Sequence, residues 1–317
     1  MNIVFLDAAT LNFGDMDMGP IAACGDYREH GLTAAHETAA RLAGAEVAIT
    51  NKVVIDRAVL DACPALRFVA VAATGYNVVD VDAARERGIG VANVPGYSTE
   101  SVAQLAMAFI LALSTRLMEH DRAARGGAWG RSPMYTMGDW PWRELAGATV
   151  GIMGLGAIGA RVAELCRAFG MRIVALGREG VSYNGTVERV GLDELAARSE
   201  YVSIHMPLTD YSRRLADARF LGMMKPTAYL VNLARGPIVD AHALAEALRA
   251  GRIAGAAVDV RDVEPPPADD PLLGAPNLIA TPHVAWASVE ARRRLIAEIA
   301  ANIRAYRDGA PRNIVNS

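Results

Sequence analysis

Thr149-Val150-Gly151-Ile152-Met153-Gly154-Leu155-Gly156-Ala157-Ile158-Gly159 is the stretch that decides the architecture of this chain. Val150, Ile152 and Met153 make a short apolar run of the kind that fills a buried parallel strand. Gly154, Gly156 and Gly159 then supply G-x-G-x-x-G. Residues 160–169 continue with helical spacing, and residues 171–176 form a second apolar run of strand length. Strand, glycine turn, helix and strand in that order separate a dinucleotide-binding loop from a chance cluster of glycines. Gly154 permits the tight turn, Gly156 admits a pyrophosphate to the backbone, and Gly159 lets helix and strand pack closely. Behind them the helix start at Ala157 and Ile158 offers unpaired N–H groups and the positive end of a dipole.

The choice of dinucleotide turns on one position. A carboxylate that selects NAD belongs about 20 residues on, at the end of the second strand. Gly177 stands there instead, and Arg178 follows it. An arginine suits a 2′-phosphate, so the expected cofactor is NADP(H) ahead of NAD(H), although Glu179 could still reach a ribose hydroxyl.

With 317 residues, 52% of them apolar, the chain can build two cores, and its net charge near −3 leaves no basic footprint for nucleic acid. Cys24, Cys63 and Cys166 are scattered and outside any C-x-x-C pattern, which favours a reduced compartment and buried thiols. Residues 2–7 read as a first strand and not as a signal segment. The longest apolar stretch, residues 102–113, is broken by Gln104 and too short to span a bilayer. A cytoplasmic protein with no membrane partner is expected. His30, His36, His120 and His242 lack metal-ligand spacing, so no metal site is expected, and neither a G-x-S-x-G nor a P-loop occurs.

Strands are expected at 2–7, 45–50, 67–71 and 89–92, with helices at about 33–43, 56–62 and 80–87 between them. Alternation of this kind means a parallel α/β sheet. Ser98 or Thr99 could cap a long apolar helix, too hydrophobic for a surface element, which is expected to lie between domains or between subunits. Residues 125–142, rich in Gly, Pro, Met and Trp, read as a long irregular connection. A second series follows, with strands at 149–153, 171–176, 200–204, 228–232, 254–258 and 277–280, and helices at 157–169, 192–199, 240–250 and 288–307. The fold class is therefore α/β, two doubly wound parallel-sheet domains of Rossmann or flavodoxin type with an interdomain cleft. Residues 1–98 and 288–317 are expected to form a discontinuous substrate-binding domain and 99–287 the dinucleotide-binding one.

Three further stretches each follow an expected strand of the second series: Asn232-Leu233-Ala234-Arg235-Gly236, Asp259-Val260-Arg261-Asp262-Val263-Glu264-Pro265, and Thr281-Pro282-His283-Val284-Ala285-Trp286. Strand ends of such a sheet face the cofactor, so one arginine, one glutamate and one histidine can converge there. Arg235 offers a fixed fork of donors suited to a carboxylate and an adjacent keto oxygen. His283 can move a proton on or off that oxygen. Glu264, bonded to the other ring nitrogen, would fix the tautomer and favour the protonated ring. Singly, each could be a turn residue, a loop charge or a structural clamp; together they favour catalysis. His205 also ends a strand and is expected to hold the loop near the cofactor. The candidate cofactor contacts are Gly154, Gly156, Ala157, Ile158, Gly159, Gly177, Arg178, His205, Pro207, Leu233, Ala234, Asp259, His283 and Ala285.

These four stretches resemble the D-isomer-specific 2-hydroxyacid dehydrogenases, and the likeness covers nearly the whole chain. Thr50-Asn51-Lys52-Val53, Ala72-Ala73-Thr74-Gly75-Tyr76-Asn77, residues 94–104 and Pro282-His283-Val284-Ala285-Trp286-Ala287-Ser288 look like its glycerate dehydrogenase/hydroxypyruvate reductase branch. The resemblance implies Arg235 for substrate orientation, Glu264 as partner of the histidine and His283 as acid/base. It also implies Asp259 near the nicotinamide carboxamide, Thr74 and Gly75 near the substrate carboxylate, and Lys52 as a further anion contact. It implies a small 2-keto or 2-hydroxy acid substrate and a homodimer through residues 100–145, with Trp129, Tyr135, Trp140 and Trp142 as candidates to enter a partner's pocket. Gly177 and Gln104 depart from the acidic residues that many members carry. The expected activity is reduction of hydroxypyruvate or glyoxylate, with D-glycerate oxidised in reverse. A D-lactate-type or other 2-keto acid reductase is the rival within the class, and a nucleotide-sensing corepressor-like module the rival outside it.

Overall fold

Two parallel sheets, of five and of seven strands, form in the computed structural model, which describes residues 1–177, 181 and 185–317. The chain divides into two compact units, Met1–Ser98 with Ala287–Ser317, and Thr99–Trp286. Each is an α/β unit with its own core.

In the first unit β1 (Asn2–Phe5), β2 (Asp26–Glu29), β3 (Val47–Thr50), β4 (Phe68–Val71) and β5 (Gly90–Ala92) lie in the order β2-β1-β3-β4-β5. Every residue of β3 and β4 is buried, as central strands covered on both faces require. Strand β2, Asp-Tyr-Arg-Glu, occupies an edge and is mostly exposed, so no apolar run announces it. The helix expected over 33–43 forms only as a 3₁₀ turn, Ala35–Glu37, and one α turn, Thr38–Arg41. Asp56 and Asp80 cap Arg57–Ala62 and Val81–Glu86 through Val59 N and Ala83 N. The terminal helix Val289–Arg307, capped by Ser288, belongs to this unit. Its Tyr306 stacks on Phe68 at 4.5 Å, and Asn302 donates to the Asn93 carbonyl at 3.0 Å.

In the second unit β6 (Thr149–Met153), β7 (Arg172–Leu176), β8 (Glu188–Val190), β9 (Tyr201–Ile204), β10 (Tyr229–Asn232), β11 (Gly255–Val258) and β12 (Leu278–Ala280) lie in the order β12-β11-β10-β9-β6-β7-β8. The apolar helix Thr99–Thr115 packs Val102, Ala106, Phe109 and Ile110 into this unit's own core beside Val150, Ile152 and Val162. Much of its hydrophobicity is answered within the unit itself. Residues 125–142 are irregular apart from a 3₁₀ turn, Trp129–Arg131, and follow the helix Leu117–Arg125. No single helix among the described residues is long and apolar enough to cross a membrane. The three cysteines are free and buried, and burial pushes the Cys166 thiol up to about 12.

Candidate active site

All seven strands of the second sheet run parallel, so Met153, Leu176, Ile204, Asn232, Val258 and Ala280 end on one edge. The glycine turn leaves that edge between β6 and the helix Ala157–Ala168. Gly154 has φ +98°, and a Cβ there would lie 2.6 Å from Met206 N. Gly159 is buried, and a Cβ on it would meet the Gly154 carbonyl at 2.1 Å, so only a glycine lets helix and turn pack this closely. Gly156 caps the helix with nothing within 4 Å of its Cβ position, and Ala157 beside it is exposed. A bare, exposed helix N-terminus is the shape a pyrophosphate needs. Gly177 continues β7, donating to the Val190 carbonyl at 2.9 Å. Arg178 and Glu179, on which the coenzyme choice was to turn, lie outside the described residues.

Beside the glycine turn, His205 follows β9 with Nε2 2.8 Å from Ser203 Oγ, while its buried Nδ1 has no hydrogen-bond partner among the described residues. Burial lowers its pKa from 6.5 to about 4, so the folded protein carries it neutral. The unfolded chain takes up that proton near 6.5 and the folded one only near 4. Stability is therefore complete above the upper value and falls as pH drops through the window, by about 3 kcal/mol in all. His205→Asn should flatten the decline of Tm between pH 6.5 and 4. An unchanged slope would assign the acid sensitivity to other groups.

After β10 the chain makes a turn built by Asn232, which sequence reasoning quoted without giving it a role. Its buried side chain donates to the Arg235 carbonyl at 2.9 Å and accepts from Ala234 N at 3.0 Å. Arg235 emerges half-buried, with Nη1 2.7 Å from the Ala234 carbonyl, and among the described residues no carboxylate lies within ion-pair distance of it. Leu233 and Ala234 are buried, so any part they have with a cofactor runs through the backbone. Gly236 is obligatory: a Cβ there would lie 2.0 Å from Arg261 C, so the Arg235 turn rests directly on the loop that follows β11.

That loop carries Glu264, whose Oε1 accepts from Arg261 N at 2.8 Å and whose Oε2 lies 2.5 Å from His283 Nδ1. A carboxylate accepts and does not donate, so this contact puts the Nδ1 hydrogen toward Glu264 and leaves Nε2 as the ring nitrogen outside that bond. His283 sits at φ +52°, a left-handed conformation uncommon for a residue with a side chain. Asp259 holds it there. Its carbonyl accepts from His283 N at 2.8 Å, and its buried carboxylate accepts from Thr281 Oγ1 at 2.5 Å, Val284 N at 2.8 Å and Ala285 N at 2.9 Å. Burial raises the Asp259 carboxyl above the ordinary range and these hydrogen bonds oppose that shift. The contacts found for Asp259 and for Ala285 N–H thus belong to the histidine turn, a role the sequence did not suggest for either.

Glu264 and His283 are brought into contact, and Arg235 leaves the neighbouring strand end. The substrate candidates of the first unit show a parallel device. Buried Asp7, after β1, accepts from Asn51 N at 2.9 Å and Lys52 N at 2.6 Å, fixing the backbone of exposed Lys52. Thr74 follows β4 and donates its hydroxyl to the Val94 carbonyl at 2.9 Å, with Gly75 next to it. Among the aromatic candidates, Tyr135 is 92% exposed and Trp129 donates to its carbonyl at 3.0 Å, whereas Trp140 packs edge-on against His120.

A family model described as D-isomer specific 2-hydroxyacid dehydrogenase, NAD binding domain, matches residues 107–285. The hydroxypyruvate reductase of Blautia hydrogenotrophica is 38% identical over 321 residues, covering 100% of each chain. A glycerate dehydrogenase of Methylorubrum extorquens is 37% identical over 318 residues, covering 99% of each. Among solved structures, an acyclic imino acid reductase in complex with NADPH and D-arginine matches with a TM-score of 0.88 at 28% identity, over 99% of this chain and 100% of that one.

Proposed function

The chain belongs to the D-isomer-specific 2-hydroxyacid dehydrogenases, and from that membership we propose that it reduces hydroxypyruvate or glyoxylate with a nicotinamide coenzyme, oxidising D-glycerate in reverse. The observation that carries the proposal is the 2.5 Å contact between Glu264 and His283, made at the sheet edge that also bears Arg235 and the glycine turn.

The open helix N-terminus at Gly156 and Ala157 fits a pyrophosphate, and Gly154, packed against the Met206 backbone, makes the tight turn that presents it. When bound, the coenzyme supplies or accepts the hydride. Arg235 orients the substrate by pairing its fork of donors with the carboxylate and keto oxygen; Lys52, Thr74 and Gly75 are further anion contacts in this proposal. His283 Nε2 gives a proton to the keto oxygen during reduction and takes it back during oxidation, while Glu264 keeps the other nitrogen engaged. Asp259 acts through the turn that presents the imidazole. NADP(H) is the preferred coenzyme in this proposal because no carboxylate stands at Gly177, at the end of β7. A homodimer through residues 100–145 is part of it too, supported by the exposed Trp129, Tyr135 and Trp142.

Steady-state kinetics over hydroxypyruvate, glyoxylate, pyruvate and 2-ketogluconate with each coenzyme test the proposal. The highest kcat/KM is expected for hydroxypyruvate or glyoxylate with NADPH. A preference for pyruvate would favour the D-lactate-type assignment, and no turnover on any 2-keto acid would leave the nucleotide-binding module.

A further inference from the structure

Glu264 sits within a run of exposed residues, 262–269, that follows β11 without helix or strand. The two residues bounding this run are largely buried and face each other. Arg261 Nε lies 3.6 Å from Asp270 Oδ2, and the two side chains are 12% and 8% exposed. We infer that this ion pair is a clamp, and that Arg261 and Asp270 are positioning residues that act on the reaction by holding Glu264 against the His283 imidazole. The inference rests on the proton-transfer role given to His283 above and deepens it, since it names what presents the carboxylate that engages the ring.

A loop of this kind has no hydrogen-bond ladder, so its shape depends on what closes its ends. Both ends are anchored in the unit: Val260 before Arg261 and Leu272 after Asp270 are buried, and Asp270 Oδ1 accepts from Leu272 N at 2.8 Å. Between the anchors Pro265, Pro266 and Pro267 restrict the backbone, and Asp270 N donates to the Pro267 carbonyl at 3.1 Å. At the other end Arg261 N donates to Glu264 Oε1 at 2.8 Å, which leaves Oε2 toward His283 Nδ1. The residue whose side chain meets Asp270 therefore also fixes, through its backbone, one oxygen of the carboxylate that engages the ring. An exposed ion pair such as Arg219 with Asp193 contributes little in water. The Arg261–Asp270 pair is shielded, so removing one partner leaves the other charge buried and the loop unfastened. Gly236 packs against the Arg261 backbone, which a side-chain substitution leaves in place, so the turn carrying Arg235 keeps its floor.

The test is a double-mutant cycle on kcat with hydroxypyruvate or glyoxylate, crossing Glu264→Gln with the neutral pair Arg261→Met/Asp270→Asn. Melting temperature and coenzyme affinity are recorded for all four proteins. Glu264→Gln is expected to lower kcat about tenfold or more, and the neutral pair by a similar factor, while KM and coenzyme affinity change by less than about twofold. In the neutral-pair background Glu264→Gln should cost less than about threefold, because the carboxylate is no longer held at the ring. Arg261→Lys, which keeps a cation opposite Asp270, should retain most of kcat. Should the neutral pair fail to fold, Asp270→Asn alone, still able to accept from Leu272 N, carries the cycle. Additive losses, a neutral pair with wild-type kcat, or a lysine variant no better than the neutral pair overturn the clamp and leave the Glu264–His283 pair standing. Wild-type kcat in Glu264→Gln overturns the acid–base reading and this inference together.

Discussion

His283→Ala is expected to lower kcat by about 10²–10⁴-fold while NADPH still binds with nearly its original affinity. The size follows from removing the proton donor that the proposed function assigns to the keto oxygen. Nδ1 is held by Glu264 at 2.5 Å, so a single nitrogen, Nε2, is left to act. The ring is also preset: His283 N and the next two backbone N–H groups all bond to Asp259, which keeps the residue in its left-handed conformation. Alanine keeps the backbone anchors and removes only the imidazole. Coenzyme fluorescence titration separates the two roles. Loss of turnover with unchanged binding supports proton transfer, whereas a variant with wild-type kcat would reject it. Equal losses of binding and rate would mean that the side chain mainly shapes the coenzyme pocket.

Arg235→Ala is the second large effect expected, a fall of about 10²–10³-fold in kcat/KM. A half-buried guanidinium with no carboxylate beside it among the described residues carries a desolvation cost that its bond to the Ala234 carbonyl offsets in part and an incoming anion would offset further. Removing it should therefore leave Tm unchanged or slightly higher while the substrate loses two charge-assisted hydrogen bonds. Arg235→Lys should recover little, because an ammonium cannot reproduce the flat fork that spans a carboxylate and a neighbouring keto oxygen. Activity and melting temperature are measured on the same preparations. If Arg235→Ala melts several degrees lower, the residue is the structural clamp, held to the Ala234 carbonyl for the sake of the turn.

The large elements were legible because their signals are local. Parallel strands buried on both faces are continuous apolar runs, and β6, β9, β10 and β11 show this in Thr149–Met153, Tyr201–Ile204, Tyr229–Asn232 and Gly255–Val258. Edge strands have no such need. Asp26–Glu29 and Glu188–Val190 carry charges on exposed faces, and neither could be found from periodicity.

By itself the sequence determined the α/β class, the glycine turn and the three residue types able to carry the chemistry, since each is written within a few consecutive positions. Tertiary structure alone decided what holds them. Asp259 reaches 22 to 26 residues along the chain to fix the His283 turn, and Asp7 reaches 44 to 46 residues to fix Lys52. It also decided that the helix Thr99–Thr115 buries its apolar side chains in its own unit. A buried carboxylate must find its hydrogen-bond donors wherever neighbouring strands deliver them, and that neighbourhood is a property of sheet order, not of spacing along the chain.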